Sequence, residues 1–245
     1  MSSDEPAIGR RYLQETRYRR GSLGEQGPAY PPVPRFKEYS QAPQHLVLDP
    51  APVSPPADLW ACLKERRSLR QYQERPLSLE ELTALVWATQ GVTQASHPYL
   101  LRTSPSAGAL YPVETYLAVH RVTGVDAGIW HLNISDFALE LLNPGDFRRP
   151  LVEACLAQHF LGTAGAVFIW TGILNRAMVK YRERAIRYLF LDAGHICQSL
   201  MLAATALGLG CCPVGAFFDE EVEELIQVDG REEVALYLAA VGTMK

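Results

Sequence analysis

The sequence predicts an α+β domain in which one sheet is flanked by helices. Helical and strand-like segments alternate from residue 57 onward, and the continuous apolar runs at Ala164–Ile173 and Val234–Val241 are typical of buried strands. The chain has 245 residues, 48% of them hydrophobic and 20% charged, which is enough to bury a sizeable core without disulfides or metal.

The elements of this domain follow in order from Ala57. Helical spacing after Pro55-Pro56 predicts a first helix, and the capping box Ser78–Glu81 begins a second that ends at Gly91. Alternating strands and helices complete the domain. We predict strands over Val113–Val122, Gly128–Ile134 and Phe137–Leu142, a helix over Asp146–Gln158, the strand Ala164–Ile173, one long helix from about Arg176 to Leu207, a short acidic helix over Asp219–Ile226 and a last strand over Val234–Val241.

The first 56 residues differ in composition from the rest. Nine of the 17 prolines lie in residues 28–56, which excludes a helix there and disfavours a central strand. The stretch is too apolar for a solvated tail, so we expect an extended arm along the domain surface or over a partner subunit. A short helix is predicted within Pro6–Arg20. The chain thus divides into an N-terminal arm, residues 1–56, and a domain, residues 57–245.

Charge and residue pattern disfavour several classes of protein. The net charge of −4 gives no basic field for nucleic acid, and no uniformly apolar run reaches the roughly 18–20 residues of a membrane helix. The six histidines show no metal-binding spacing. Five cysteines without regular spacing favour a reducing compartment, so we expect a cytoplasmic protein without metal, membrane or nucleic-acid partners.

A cluster of guanidinium groups ends the first predicted helix. Arg66, Arg67, Ser68 and Arg70 lie within five residues and could form a local anion site. The alternative is a solvated basic turn, favoured by the negative end of the helix dipole.

Two loops rich in small residues could admit a flat ligand. The first, Ser104–Pro112, reads SPSAGALYP and precedes a predicted strand. The second, Gly208–Phe217, reads GLGCCPVGAF and is not a dinucleotide-binding GxGxxG, because Pro213 takes the third position. The structural alternative for the first stretch is an ordinary loop. For the second it is a helix end that leads into a strand.

A Lys-Tyr pair opens the long predicted helix. Tyr181, Tyr188 and His195 recur every seven residues and follow Lys180, with Arg184 between the first two tyrosines. The chain has 19 Arg and only four Lys, and only Lys readily gives up its proton near neutral pH. A solvated helix face is the alternative interpretation.

Taken in order, these motifs resemble the nitroreductase family of flavoproteins, and most closely its SagB/ThcOx-type dehydrogenase branch. The resemblance covers about residues 57–242, and the N-terminal GRRYLQETRYRRGSL and KEY also look like the leader of stand-alone members. The motifs that carry it are RRSLR (66–70), PSAGALYP (105–112), KY (180–181), RYLFLDAGHICQSL (187–200), ALGLG (206–210) and PVGAF (213–217).

The resemblance implies a sheet-and-helix fold, antiparallel or mixed, that forms an interwoven homodimer with FMN at the interface. By that resemblance Arg66, Ser68 and Arg70 would hold the phosphate and the pyrimidine edge, with Arg67 beside them. Many family members also end in Lys-x-Arg, where this chain ends VGTMK with Lys245. The remaining flavin contacts would come from Pro105, Ser106 and Ala107 of the partner chain and from Pro213, Val214, Gly215 and Ala216.

Lys180 and Tyr181 resemble the catalytic pair of azoline oxidases in this branch. Such enzymes oxidise thiazolines or oxazolines of modified peptides to azoles, a reaction in which the substrate loses a Cα proton to a base and a hydride to the flavin. Lysine has an unperturbed pKa near 10.4, so it serves as a base only where its surroundings lower that value, and Arg184 could supply such a charge.

Three functions therefore remain open from the sequence. The first is an FMN-dependent dehydrogenase acting on an azoline-like small molecule or modified peptide. The second is an NAD(P)H-dependent reductase of nitro compounds, quinones or enones, as in the wider family. The third is a flavin-holding subunit of a biosynthetic complex. The Lys180-Tyr181 pair favours the first, because a generic reductase does not need it.

Overall fold

The computed structural model describes residues 7–20, 28–50, 57–96 and 99–244. Its centre is a seven-stranded sheet in the order β1-β6-β5-β4-β7-β9-β8, in which every neighbouring pair is antiparallel. A separate hairpin, β2-β3, stands apart from it. The strands are β1 His45–Val47, β2 Val92–Ser96, β3 Tyr99–Arg102, β4 Val113–Val119, β5 Gly128–Asn133, β6 Ala138–Pro144, β7 Ala166–Ile173, β8 Leu209–Val214 and β9 Glu233–Thr243.

Helices cover both faces of the sheet, so the predicted α+β architecture is confirmed. Helices α3 and α7 lie on one face, and α4, α5 and α8 lie on the other. The capping box at Ser78 forms as predicted, with Ser78 and Glu81 bonding each other's backbone N–H groups. The helices are α1 Ile8–Glu15, α2 Leu59–Glu65, α3 Leu79–Gln90, α4 Arg148–Ala154, α5 Phe160–Thr163, α6 Leu174–Tyr181, α7 Ala185–Ala206 and α8 Asp219–Leu225.

The apolar run in β7 reflects burial on both sides of the sheet. Phe168 and Trp170 point into the core beneath α3 and α7, while Val167 and Ile169 point into the opposite core. All four side chains are fully buried, which is why the strand lacks the polar alternation of a half-exposed strand.

Several predicted boundaries were wrong. The long helix is broken between α6 and α7, where Arg182 takes a positive φ of 51°. The helix predicted to reach Gln158 ends at Ala154, because Leu156 and Ala157 also have positive φ. The second glycine-rich loop contains a strand, β8, which tolerates Pro213 because it is an edge strand.

The arm folds onto the body of the same chain. Strand β1 adds to the sheet beside β6, and Lys37 bonds Glu233 at 2.5 Å and the hydroxyl of Tyr116 at 2.7 Å. The backbone carbonyl of Pro34 accepts a hydrogen bond of 2.7 Å from Arg176. The predicted N-terminal helix is shorter than expected, Ile8–Glu15, and Pro6 lies outside the described residues.

A buried cluster of charges ties this arm to the sheet and to α6. His131 lies between Glu114 at 3.1 Å and Glu140 at 3.0 Å, and Glu114 also pairs with Arg176. Burial alone would raise the pKa of Glu114, but its hydrogen bond with His131 and the charge of Arg176 lower it to about 2. The cluster is therefore a network of paired ions, each of which depends on its neighbour.

The segment Leu174–Ala206 is long and apolar enough to cross a membrane by length and composition, contrary to the expectation that no segment is. In this fold it is broken at residues 182–184, and the buried side chains of α7 pack against α3 and the sheet, while Phe190 and Leu191 stay exposed. We interpret it as the core helix of a soluble domain.

Two buried histidines should respond to pH in opposite directions. Although burial opposes it, pairing with Glu114 and Glu140 raises the pKa of His131, whereas burial and then Arg148 lower the pKa of His120 to about 4. The stability that His131 contributes is thus fully present below about pH 6.5 and is lost as the pH rises through its folded pKa. Protonation of the buried His120 ring costs stability on the order of 3 kcal/mol, which is lost as the pH falls from about 6.5 to about 4.

Imidazole NMR and urea unfolding between pH 4 and 9 test this expectation. His131→Gln should remove the alkaline part of the stability profile, and His120→Gln should remove the acidic part. Identical profiles in the wild type and both variants would contradict it.

Candidate functional site

The sheet places the sequence motifs at its two ends. Val113, which follows the PSAGALYP loop, pairs with Gly172 near the end of β7. Cys211, beside the basic turn, pairs with Val241, which in turn pairs with Ala166 at the beginning of β7. Six residues of strand, roughly 20 Å, separate these two levels. We therefore describe the basic turn and the PSAGALYP loop separately, as two candidate half-sites.

The first half-site joins the basic turn to strand β8. Ser68 forms a parallel bridge with Cys211, and the Leu69 N–H donates to the Cys211 carbonyl at 3.0 Å. Tyr72 lies flat on β9, where a Cβ added to Gly242 would come within 2.9 Å of its ring. A glycine at this position is thus required for the turn to approach the sheet so closely.

The guanidinium groups of this turn differ in what they contact. Arg67 donates to the carbonyls of Lys64 and Arg66 at 2.9 and 2.7 Å, so it is turned back on its own helix end. Arg66 is half-buried near Cys211, and Arg70 is exposed, with its guanidinium 5.7 Å from the ring centroid of Phe160.

This half-site suits an anion. Within the described parts of the chain, no carboxylate pairs with Arg66 or Arg70, and the Ser68 side chain is exposed between them. Gly215 and Ala216, at the exit of β8, are exposed as well, whereas Pro213 and Val214 pack within the strand. Lys245 lies outside the described residues. Two unneutralised guanidiniums and a free hydroxyl match the needs of a phosphate group.

The neighbouring cysteines are structural. All five cysteines are buried free thiols. Burial raises the pKa of Cys211 well above its ordinary value, against the opposing charge of Arg66. Cys211 and Cys212 therefore stay protonated and pack as small apolar side chains.

The second half-site is the PSAGALYP loop, which a buried carboxylate on α7 holds in place. The Asp192 carboxylate accepts from the Ser106 hydroxyl at 2.6 Å and from the Ala107 N–H at 3.3 Å. Ser106 in turn accepts from the Tyr111 N–H at 2.9 Å. Burial raises the pKa of Asp192, although both hydrogen bonds oppose that rise.

The backbone of this loop is strained. Gly108 has φ 62°, and the two non-glycine residues Ala109 and Tyr111 have φ 52° and 47°. Positive φ at non-glycine positions persists only where the surroundings fix it, and here Asp192 does so. Pro105 and Gly108 remain exposed at the tip of the loop.

Lys180 and Tyr181 converge on this tip. A Cβ added to Gly108 would lie 2.6 Å from Lys180 Nζ and 2.6 Å from Tyr181 Oη, so both polar groups reach the same point beside the loop. Lys180 is exposed and Tyr181 is half-buried. The structure thus brings the Lys-Tyr pair and the PSAG segment together within one chain.

The remaining residues of the series that follows Lys180 have different surroundings. Tyr188 packs against Tyr181 with ring centroids 4.6 Å apart, and its hydroxyl accepts from Arg184 Nε at 3.2 Å. Arg184 also donates to the carbonyl of Thr16 at 2.7 Å, so its guanidinium is occupied by the N-terminal segment. His195 is exposed further along α7.

Sequence reasoning missed Asp192 as the residue that organises the loop. The available signal was a lone carboxylate within the apolar stretch Leu189–Ala193 of a core helix, where an unpaired charge would be costly. It also missed Arg176. This residue lies on α6, which directly follows β7, and its guanidinium pairs with Glu114.

Known proteins are similar to this chain in sequence. MJ1384 of Methanocaldococcus jannaschii, which carries the name nitroreductase, is 36% identical over 74% of this chain and 88% of its own length. The trifolitoxin-processing protein TfxB of Rhizobium leguminosarum bv. trifolii is 31% identical over 65% of this chain and 46% of its own. The microcin B17-processing protein McbC of Escherichia coli is 25% identical over 76% and 66%, respectively. The chain therefore spans only part of the two processing proteins.

Solved structures agree with these relatives. A nitroreductase crystal structure from Anabaena variabilis superposes with a TM-score of 0.74 at 31% identity, over 86% of this chain and 44% of that chain. A chain of the Escherichia coli microcin synthetase McbBCD complex superposes with a TM-score of 0.63 at 21% identity, over 83% of this chain and 79% of that chain, and so shares the fold. The nitroreductase family profile matches residues 63–243. The chain is thus an oxidoreductase that belongs to the nitroreductase family.

Proposed function

We propose that this chain is an FMN-dependent dehydrogenase of the SagB type, which oxidises an azoline-like ring or a related peptide-derived substrate. The observation that carries the proposal is the convergence of Lys180 Nζ and Tyr181 Oη beside Gly108. A base held at a cofactor-contacting loop suits proton abstraction coupled to hydride transfer. Similarity to the trifolitoxin-processing protein TfxB and the microcin B17-processing protein McbC supports a role in processing a natural product of this kind.

The cofactor would be held mainly by the basic turn. Arg66 and Arg70, which lack carboxylate partners within the described residues, would bind the FMN phosphate with Ser68, and Arg67 would add charge from beside them. The exposed backbone of Gly215 and Ala216 would approach the isoalloxazine, with Pro213 and Val214 behind it. When bound, FMN supplies the hydride-accepting chemistry.

The second half-site would come from a partner copy. Pro105, Ser106 and Ala107 lie at the opposite end of β7 from the basic turn, so a two-fold arrangement would join each loop to the other chain's turn. An apolar surface is available for such a homodimer. It comprises Leu59, Trp60 and Leu63 on α2, which are 56%, 75% and 44% exposed, and Phe190 and Leu191 on α7, which are 58% and 51% exposed.

The chain's own residues would carry the proton. Lys180 Nζ would take the Cα proton of the substrate ring, while the hydride leaves the same ring for the flavin. The hydroxyl of Tyr181 would hydrogen-bond the ring or share the proton. Asp192 fixes the loop on which both groups rest, by binding Ser106 and the Ala107 N–H.

The second candidate is an NAD(P)H-dependent reductase of nitro compounds, quinones or enones. It is favoured by the similarity to MJ1384, which covers 88% of that protein. A flavin-holding subunit of a peptide-modifying complex, on the pattern of the McbBCD assembly, is the third. Both alternatives leave Lys180 without a chemical role, which separates them from the dehydrogenase.

Loss of a guanidinium from the basic turn should weaken flavin binding. Arg66→Ala and Arg70→Ala should each lower FMN affinity about ten- to hundred-fold, since a charge-assisted hydrogen bond contributes roughly 1.5–3 kcal/mol. Chromatography of the flavin released on denaturation gives its identity and occupancy. Arg149→Ala, at an exposed position on α4 paired with Glu153, is the matched control. Full occupancy in both turn variants, or FAD in place of FMN, would contradict the assignment.

The Lys-Tyr pair should be required only for oxidation of a substrate that must lose a proton. Lys180→Ala should bind FMN normally and lose about 10²–10⁴ in the rate of flavin reduction by a thiazoline peptide. Lys180→Arg should fail equally, because a guanidinium stays protonated, and Tyr181→Phe should cost less if Tyr181 only orients.

Flavin reduction by NADPH is the internal control, because direct hydride transfer needs no carbon base. Where it occurs, it should survive all three substitutions. If Lys180→Ala lowers neither rate, or lowers both equally at normal flavin content, the reductase replaces the dehydrogenase.

Gly108 offers a steric test of the same pair. Gly108→Ala should displace Lys180 and Tyr181 and lower base-dependent turnover per bound flavin at least ten-fold, because the new Cβ would lie 2.6 Å from both polar groups. Gly124→Ala is the control: it shares a positive φ of 78°, but its Cβ would meet nothing within 4 Å. Both variants should lose about 1–2 kcal/mol of stability in urea unfolding. Equal turnover in the two variants would show that contact with Gly108 does not matter.

A further inference from the structure

The N-terminal segment is hydrogen-bonded to the turn that follows the Lys-Tyr pair. We name residues 182–188 the junction; they comprise the break after α6 and the first turn of α7. Four hydrogen bonds link the junction to residues before position 31. The Arg187 N–H donates to Tyr12 Oη at 2.8 Å, Arg184 donates to the Thr16 carbonyl at 2.7 Å, Arg182 donates to the Pro28 carbonyl at 3.0 Å, and Tyr30 donates to Glu183.

The junction needs such support. Arg182 has φ 51° and ψ −145°, a backbone region that is essentially restricted to glycine. This strained residue directly follows Tyr181 and ends α6. Because Lys180 and Tyr181 directly precede Arg182, a change in its backbone conformation would alter how the end of α6 is oriented relative to α7. Contacts that hold Arg182 in place therefore also hold the pair.

A chain of side-chain contacts leads from the N-terminal segment to the pair. The guanidinium of Arg184 lies 4.4 Å from the ring centroid of Tyr18 and 5.9 Å from that of Tyr188. Tyr188 in turn packs against Tyr181 at 4.6 Å. Burial would raise the pKa of Tyr188, but the hydrogen bonds with Arg184 and Tyr18 outweigh it and lower that pKa. Tyr18, Arg184 and Tyr188 thus form one stack, which ends against the ring of Tyr181.

We propose that residues 7–20 are a positioning element for Lys180 and Tyr181, which acts through Arg184 and Tyr188. The role of the pair rests on the proposed function, whereas the mechanical coupling does not. Thr16 and Tyr18 contact Arg184, and Tyr188 packs against Tyr181, while Lys180 and Tyr181 approach Gly108 of the loop. Tyr18 and Arg184 touch no reacting atom and are positioning residues.

The test uses full-length protein with FMN bound. Tyr18→Leu removes the ring beneath Arg184, and Tyr18 is 44% exposed, so the fold should tolerate the change. Arg184→Gln removes the guanidinium from the same stack. Gln44→Ala is the matched control, because it also removes one arm-to-body hydrogen bond, the 2.7 Å bond to Asp126, at the far side of the sheet.

Two readouts separate the coupling from the chemistry. Hydrogen exchange of residues 174–188 should be about three- to thirty-fold faster in Tyr18→Leu and Arg184→Gln and unchanged in Gln44→Ala. Oxidation of a thiazoline peptide should slow by a similar factor, with flavin content and NADPH-driven reduction unchanged. The double variant should be no worse than Arg184→Gln alone, because both substitutions break one stack.

Unchanged exchange in Tyr18→Leu and Arg184→Gln overturns the proposal, whatever the activity. Faster exchange with an unchanged oxidation rate overturns it too, provided that Lys180→Ala abolishes oxidation. If exchange is faster but Lys180→Ala costs nothing, the coupling stands and the dehydrogenase function is what fails.

Discussion

The guanidinium of Arg176 joins the parts of the molecule on which the candidate site depends. It pairs with the buried Glu114 on β4, donates to the Pro34 carbonyl of the arm at 2.7 Å, and contacts the Tyr111 carbonyl at the end of the PSAGALYP loop at 3.4 Å. Arg176 also belongs to α6, the helix that ends with Lys180 and Tyr181. Removing one member of such a buried pair costs about 3–5 kcal/mol, because the remaining charge has no solvent. Sheet, arm, loop and helix therefore keep one relative arrangement.

The antiparallel register imposes the second constraint. Val113 and Cys211 lie at levels six residues apart along β7, so the loop with the Lys-Tyr pair and the turn with the guanidiniums are about 20 Å apart along the strand direction. In the proposed function, the turn would hold the phosphate and the loop would carry the base. Pairing of two copies is how the proposed FMN site would bring a turn and a loop together.

Local signals in the sequence predicted most elements but not how they meet. The capping box at Ser78 and the apolar run of β7 are decided by neighbouring residues, so both were predictable. The break at residues 182–184 was not, because Arg182 and Arg184 contact Pro28 and Thr16, more than 150 positions away. A strand was one of two interpretations that the sequence left open for residues 208–217, and Pro213 is acceptable in β8 because the sheet ends there.

Some site residues could likewise be predicted from the sequence, and others could not. The basic turn and the Lys-Tyr pair could be recognised as motifs, because each is contiguous in the chain. Asp192 and Arg176 act through partners about 60 to 90 positions distant, so their roles emerge only when the fold brings those partners close. The role of a buried charged side chain becomes clear only once its hydrogen-bonding or ionic partner is known.

Exposure of Lys180 links assembly to chemistry in the proposed function. Only an amine with a free lone pair can accept a proton, and in the single chain Lys180 is exposed beside the exposed Gly108. A group that shields Lys180 from water must also cover the PSAG loop. In the proposed function, the partner's flavin and the substrate ring would lie there. The apolar faces of α2 and α7, with Trp60 75% exposed and Phe190 58% exposed, would be covered by the same partner. Dimer formation, flavin binding and activation of the base would then be consequences of one docking event, with the N-terminal segment holding the pair in place beforehand.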